Sequence, residues 1–164
     1  MKIYIGSDHA GFELKGKLIS FLQTKGYVVE DVGAYTYDAE DDYPDFVVPV
    51  ARAISRVGSQ TNDTEEVRGI IIGGSGQGEA IIANRLKGVR AVVFNGQYKR
   101  NDGEEIPNEI ILSRTHNDSN ILSLGARFIS YDDAEQAVLL WLTTAFSKEE
   151  RHIRRIKKID SLTE

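Results

Sequence analysis

The chain has 164 residues, enough to bury a core as one domain without disulfide or metal staples. Its 41% hydrophobic and 27% charged residues suit a folded soluble protein, and a net charge of −5 argues against a general nucleic-acid or acidic-membrane binder. There is no cysteine, which excludes disulfides, thiolate nucleophiles and cysteine metal sites.

The first segment, KIYIG at 2–6, is a short apolar run ending in glycine and predicts a buried strand. With no signal-peptide pattern and no window of membrane-spanning length, a cytoplasmic location without a membrane partner is expected. Apolar residues at 14, 18, 21 and 22 predict a helix over 12–25, stopped by Gly26, and 27–33 predicts a second strand. An acidic loop, DAEDDYPD at 38–45, leads to Pro44, which opens a helix to about residue 56 with Phe46, Val47, Val50, Ala51 and Ile54 on one face. After a polar connection at 59–66, RGIIIGG at 68–74 is the most strand-like segment of the chain.

A helix over 78–86 and a strand over 89–95 follow, then a long polar loop at 95–106 and a short helix from Pro107. NILSLGARFIS at 120–130 predicts the last strand, 132–146 a helix, and the basic tail a final helix. Strands alternating with helices, each strand apolar on both faces, predict an α/β fold with a parallel sheet covered on both sides.

Ligands of such sheets sit beyond the carboxyl ends of the strands. Three turns carry unusual chemistry and are expected at that edge: GSDHAG at 6–11, GGSGQGE at 73–79 and HNDSN at 116–120. In the first, Asp8 either caps the next helix or acts in a site with His9. In the second, closely spaced glycines allow a sharp turn that presents N–H groups at a helix N-terminus, an anion-binding geometry. It is neither a dinucleotide fingerprint, since Glu79 stands where a glycine is needed, nor a P-loop. Glu79 is either a favourable contact with the helix dipole or a general base beside an oxyanion cradle. His116 is either a solvated loop histidine or part of the site. At 151–158, Arg151, Arg155 and Lys158 share one helical face and Ile153, Ile156 and Ile159 another. The cations are either a solvated face or a phosphate fork, and the isoleucine stripe needs a surface to cover. No H-x-x-x-H pair and no carboxylate array at ligand spacing occurs, so neither metal nor cofactor is expected.

Taken in order, GSDHAGFELK, DYP at 42–44, GGSGQGEAIIANR, RTHNDSNILSLGAR and RHIRRI resemble the family of ribose-5-phosphate isomerase B and of the galactose- and allose-6-phosphate isomerases. The resemblance implies a three-layer α/β/α sandwich around five parallel strands in the order 2-1-3-5-4. It implies an aldose–ketose isomerase of sugar phosphates, ribose 5-phosphate first and a hexose 6-phosphate as the alternative. A non-catalytic phosphosugar-binding module is the reading outside that class. The implied working unit is a homodimer, with a tetramer left open, whose sites draw on both chains and in which residues 148–164 contact the partner. Asp8, His9 and Tyr43 would line the sugar and phosphate site, and the loop with Gly74, Ser75, Gly76 and Gly78 would hold the developing enediolate. His116 or Asp8 would open the ring, with Asn117 beside the substrate. His9 and Arg127 would hold the phosphate, together with Arg151 and Arg155 of the second chain, and His152 falls beside them. One branch of the family uses a cysteine base where this chain has Gly73; the other uses the glutamate that matches Glu79. The loop at 95–115 is longer than the family's usual length, which bears on the choice of sugar.

Overall fold

In a computed structural model that describes residues 1–59 and 66–162, five strands form one parallel sheet. They are β1 (Lys2–Ser7), β2 (Val28–Asp31), β3 (Val67–Gly73), β4 (Ala91–Phe94) and β5 (Ile121–Gly125), in the spatial order β2-β1-β3-β5-β4. The helices are α1 (Phe12–Thr24), α2 (Pro44–Ser59), α3 (Gln77–Ala83), α4 (Glu109–Thr115), α5 (Tyr131–Thr143) and α6 (Glu150–Asp160). Most of the expected polar connection at 59–66 lies outside the described residues.

The central strands bury both faces, and their two-residue period divides the core into two layers. Ile3, Ile5, Ile70, Ile72, Leu122 and Leu124 face α1, α4 and α5, where Leu18, Leu22, Ile110, Val138 and Trp141 meet them. Ile71 and Ile121 face the other way, against Val47, Val50, Ala51 and Ile54 of α2 and Ala83 of α3. The result is the expected three-layer α/β/α sandwich. The edge strand β2 departs from the two-sided pattern, because Val28 is exposed. Trp141 is fully buried and its indole N–H donates to Ser119 Oγ at 2.8 Å, the polar partner a buried tryptophan requires.

Several boundaries differ from those expected, among them the end of the helix predicted over 132–146, which stops at Thr143. The last strand stops at Gly125 rather than running to residue 130. There the chain turns back, with Ala126 N–H donating to Gly73 O at 2.8 Å and Arg127 N–H to Gly74 O at 3.2 Å. The short helix starts at Glu109 rather than Pro107, because Asn108 caps it by accepting from Ile111 N–H at 3.1 Å. The helix after Gly78 is shorter than expected and ends at Ala83.

Candidate active site

Glu79 sits in the first turn of α3, directly after the glycine loop, and is only 4% exposed. A Cβ at position 73 would overlap its carboxylate, so Gly73 is the space in which the acid group lies. Burial raises the Glu79 pKa, its own backbone N–H opposes this, and the nearby charge of Asp8 raises it further. The carboxylate is thus a stronger base than a solvated one.

The loop before it is held from behind. Its carbonyls at Gly73 and Gly74 accept from Ala126 and Arg127 N–H, that of Ser75 from Asn95 Nδ2 at 3.0 Å, and that of Gly76 from Ser123 Oγ at 2.7 Å. Gly76 has φ 73°, a conformation glycine adopts without cost. The N–H groups at the start of α3 have no partner within the helix, and of these Gln77 N–H donates to Ser75 Oγ at 3.4 Å. Asn95 and Ser123 are scaffolding not singled out from the sequence; Ser123 lies inside RTHNDSNILSLGAR without being a candidate there, and the strand order brings both under the loop.

The remaining residues of this edge converge on the same loop. A Cβ at Gly78 would lie 2.9 Å from Tyr43 Cζ, so the phenol rests on the loop. A Cβ at Gly74 would lie 3.2 Å from the Arg127 guanidinium. Asp8, 7% exposed, does cap the short 3-10 turn of residues 9–11, its Oδ1 accepting from Ala10 and Gly11 N–H at 3.0 and 3.1 Å. It also lies close enough to Glu79 to raise that residue's pKa, so capping and proximity to the site hold together. His9 Nδ1–H donates to Asp41 Oδ1 at 2.7 Å, and that bond raises the imidazole pKa against the effect of burial. Asp8, His9 and Asp41 are the one group among the described residues with donor atoms close enough to surround a cation, all within 4.8 Å of one another. No such array is visible at ligand spacing in the sequence, since Asp41 joins from 32 residues away. His9 Nδ1 and Asp41 Oδ1 are hydrogen-bonded to each other.

His116 and Asn117 do not belong to this assembly within one chain, contrary to the expectation that HNDSN reaches the carboxyl edge. All strands are parallel, and a turn that precedes β5 must lie at its amino end. Five paired positions from Gly69↔Ile121 to Gly73↔Gly125 separate the two edges, roughly 15 Å at about 3.3 Å per residue. At the amino edge Asn117 O accepts from Arg90 Nε at 3.1 Å, and Asp118 pairs with Arg90 and Arg114. His116 stacks against the buried His152 of α6, ring centres 4.3 Å apart, and His116 O lies 3.0 Å from His152 Nδ1. α6 is tied to the amino edge by the His116–His152 contact and the Arg90–Asp160 pair, and Arg151 and Arg155 stand exposed on it, Arg151 paired with Glu149. Ile153 and Ile156 of the apolar stripe are half-buried and Ile159 is 50% exposed.

Known proteins are similar to this chain over nearly its whole length. The family described as Ribose/Galactose Isomerase matches residues 3–159. The chain belongs to that family. Ribose-5-phosphate isomerase B of Mycolicibacterium paratuberculosis is 38% identical over 157 residues, 95% of this chain and 87% of that protein. The Escherichia coli protein of the same name is 34% identical, covering 98% of this chain and 95% of its own. The structure is similar to that of ribose-5-phosphate isomerase B from Mycoplasma genitalium with bound ribulose-5-phosphate, with a TM-score of 0.85 at 34% identity, over 98% of this chain and 95% of that one. It is also similar to the Clostridium thermocellum enzyme, with a TM-score of 0.82 at 40% identity, over 99% and 97% of the two chains. Among the described residues no helix is long and apolar enough to cross a membrane.

Proposed function

We propose that the protein interconverts ribose 5-phosphate and ribulose 5-phosphate, with Glu79 as the base. The observation that carries this reading is the buried Glu79 carboxylate, raised in pKa and set at the end of a loop whose carbonyls are tied away from it. After the sugar ring opens, Glu79 takes the proton from C2, which the C1 carbonyl has acidified. The negative charge moves to the carbonyl oxygen, where N–H groups of residues 74–78 meet it as an oxyanion cradle. A proton then passes from O2 to O1 of the cis-enediolate, Glu79 returns its own proton to C1, and the C2 carbonyl of the ketose forms. No atom is lost, so no co-reactant is required. Tyr43 lies against the sugar and Ser75 in the cradle, while His9 and Arg127 hold the phosphate.

The site is completed by a second chain. One protomer supplies its carboxyl edge, with Asp8, Glu79 and Arg127. The partner supplies residues of the other kind from its amino edge: the histidine at position 116 to protonate the ring oxygen, the asparagine at 117, and the arginines at 151 and 155. Residues 148–164 then form the arm that crosses to the partner, and Ile159 gains a surface to cover. Support comes from the separation of the two groups across the sheet, which one chain cannot close by moving side chains.

Turnover of ribose 5-phosphate followed by ketose detection, beside allose 6-phosphate as the competing substrate, tests the assignment. Preference for the hexose phosphate would replace the substrate but keep the chemistry. Tight binding of both without turnover would leave only a binding module.

A further inference from the structure

An acidic side chain inside an anion site needs a reason. Asp41 lies in the DAEDDYP segment, in a protein that already carries a net charge of −5. It is no solvated loop residue, since its side chain is only 8% exposed. A turn built on Asp38 delivers it there: Asp41 N–H donates to Asp38 O at 3.2 Å, and Asp38 Oδ1 accepts from Glu40 N–H at 3.0 Å. From that position Asp41 Oδ1 accepts twice from His9, from the backbone N–H at 3.1 Å and from Nδ1 at 2.7 Å. Asp41 Oδ2 is buried with no protein partner. A carboxylate only accepts, so His9 Nδ1 must carry a hydrogen and Nε2 is the nitrogen left for a ligand.

We propose that Asp41 is a positioning residue that fixes His9 as a doubly protonated imidazolium, so that Nε2–H donates a charged hydrogen bond to the substrate phosphate. This rests on the reading of His9 as a phosphate ligand. A phosphate dianion offers only acceptors at neutral pH, so a neutral imidazole exposing Nε2 without its hydrogen would repel it. The groups facing His9 act in opposite directions. Asp41 and Asp8 favour the cation; burial and the Arg127 guanidinium oppose it; Tyr37 meets the ring edge-on at 6.5 Å. Of the two carboxylates, Asp8 Oδ1 is committed to backbone N–H groups of the 3-10 turn. Asp41 alone bonds the ring. Its negative charge is neutralised locally by the imidazolium, so the pair presents a net donor rather than a net anion.

The test is Asp41→Asn, which keeps an oxygen able to accept from Nδ1–H and removes the charge. NMR titration of His9 in the whole protein, with inorganic phosphate as the probe, reads the two claims separately. The wild-type His9 signal should move on adding phosphate, and its pKa should fall in the Asn variant. In steady-state assays the variant's KM should rise about tenfold at pH 8, the scale of one charge-assisted hydrogen bond. The rise should be smaller at pH 6, where the imidazole takes its second proton more readily, and kcat should change less than KM at both. An unaltered His9 pKa in the Asn variant overturns the proposal while leaving the phosphate assignment standing. A wild-type His9 that ignores phosphate overturns the assignment and the proposal with it. A purely structural role predicts a lower melting temperature and equal losses at both pH values, which also contradicts the proposal. Asp41→Glu, with charge restored on a longer arm, should recover part of the pH 8 loss.

Discussion

At the carboxyl edge of the sheet the chain places Glu79 and Asp8 in near-complete burial, beside a loop whose carbonyls are each tied down. At the amino edge it places Arg151 and Arg155 in the open on α6, with His116 packed on His152. The first region costs stability, because a carboxylate is desolvated next to another carboxylate. The second keeps its arginines solvated in the single chain. A reaction that develops negative charge on a phosphorylated substrate needs both: a desolvated base and a set of cations. Keeping them on opposite edges prevents the arginines from pairing with Glu79 in the unliganded chain and lowering its basicity. In the proposed assembly a second copy supplies the missing edge and brings the two together.

The contrast predicts a steep hierarchy of effects. Glu79→Gln removes the base with its volume kept, so kcat should fall by two or more orders of magnitude, the scale of general-base catalysis. The same variant should melt higher than wild type at neutral pH. Burial holds the folded-state pKa of Glu79 above its unfolded value, so its contribution to stability is greatest in acid and is lost as pH rises through the folded pKa. The glutamine avoids that cost. Calorimetry together with activity reads both, and a variant that is inactive and less stable would contradict the account of a strained base.

Next in size is Gly73→Ala. The new methyl would occupy the space of the Glu79 carboxylate and push it aside without altering its chemistry. A displacement of about 1 Å commonly costs about a hundredfold in rate, so kcat should fall on that scale while far-UV circular dichroism is unchanged. Near-normal turnover would mean that the observed carboxylate position is not the working one. The same overlap explains physically why a side-chain base at position 73 and one at position 79 are alternatives rather than companions.

A smaller effect is a displaced pH profile. Asp8 raises the Glu79 pKa through like charge, so Asp8→Asn should move the acid limb of kcat/KM to lower pH. A limb that stays in place would remove Asp8 from the electrostatics of the base. The smallest effect belongs to the loop after β4. Gln97 anchors its two ends, Nε2 donating to Pro107 O at 3.3 Å and Oε1 accepting from Glu109 N–H at 3.1 Å, and the polar stretch between is exposed. Removing residues 98–105 should leave the melting temperature nearly unchanged. It should alter the ratio of pentose to hexose phosphate turnover, because the loop leaves the carboxyl end of β4 and so shares an edge with Glu79. Identical ratios would deny it a part in selectivity.

Much of this architecture was legible in the amino-acid order. RGIIIGG could hardly be other than a central strand, and the glycines before Glu79 announced a turn into a helix. What the sequence did not convey was distant side-chain pairing. HNDSN carries the right chemistry, yet in a parallel sheet its place before β5 puts it at the amino edge, a consequence already contained in the expected topology. Asp41 reads as one of several acids in a loop until the fold brings it against His9. Asn95 and Ser123 are unremarkable in sequence and become supports only because β4 and β5 run beneath the glycine loop. The strand expected over 120–130 was overextended because ARFIS is as apolar as a strand, while the backbone turns at Gly125 to bond back to β3.

The central claim is that the two edges work together only across a pair of chains, and mixing two dead variants tests it most directly. Glu79→Gln has a sound amino edge and Arg155→Ala a sound carboxyl edge. Refolded together in equal amounts, about half the dimers should be mixed by random pairing. Each mixed dimer then holds one site with both lesions and one with neither. Roughly a quarter of wild-type turnover should return by this two-fold counting. If each site were built within one chain, every site would keep a lesion. A mixture as inactive as its two components, with subunit exchange verified by native mass spectrometry of a tagged chain, would contradict the account.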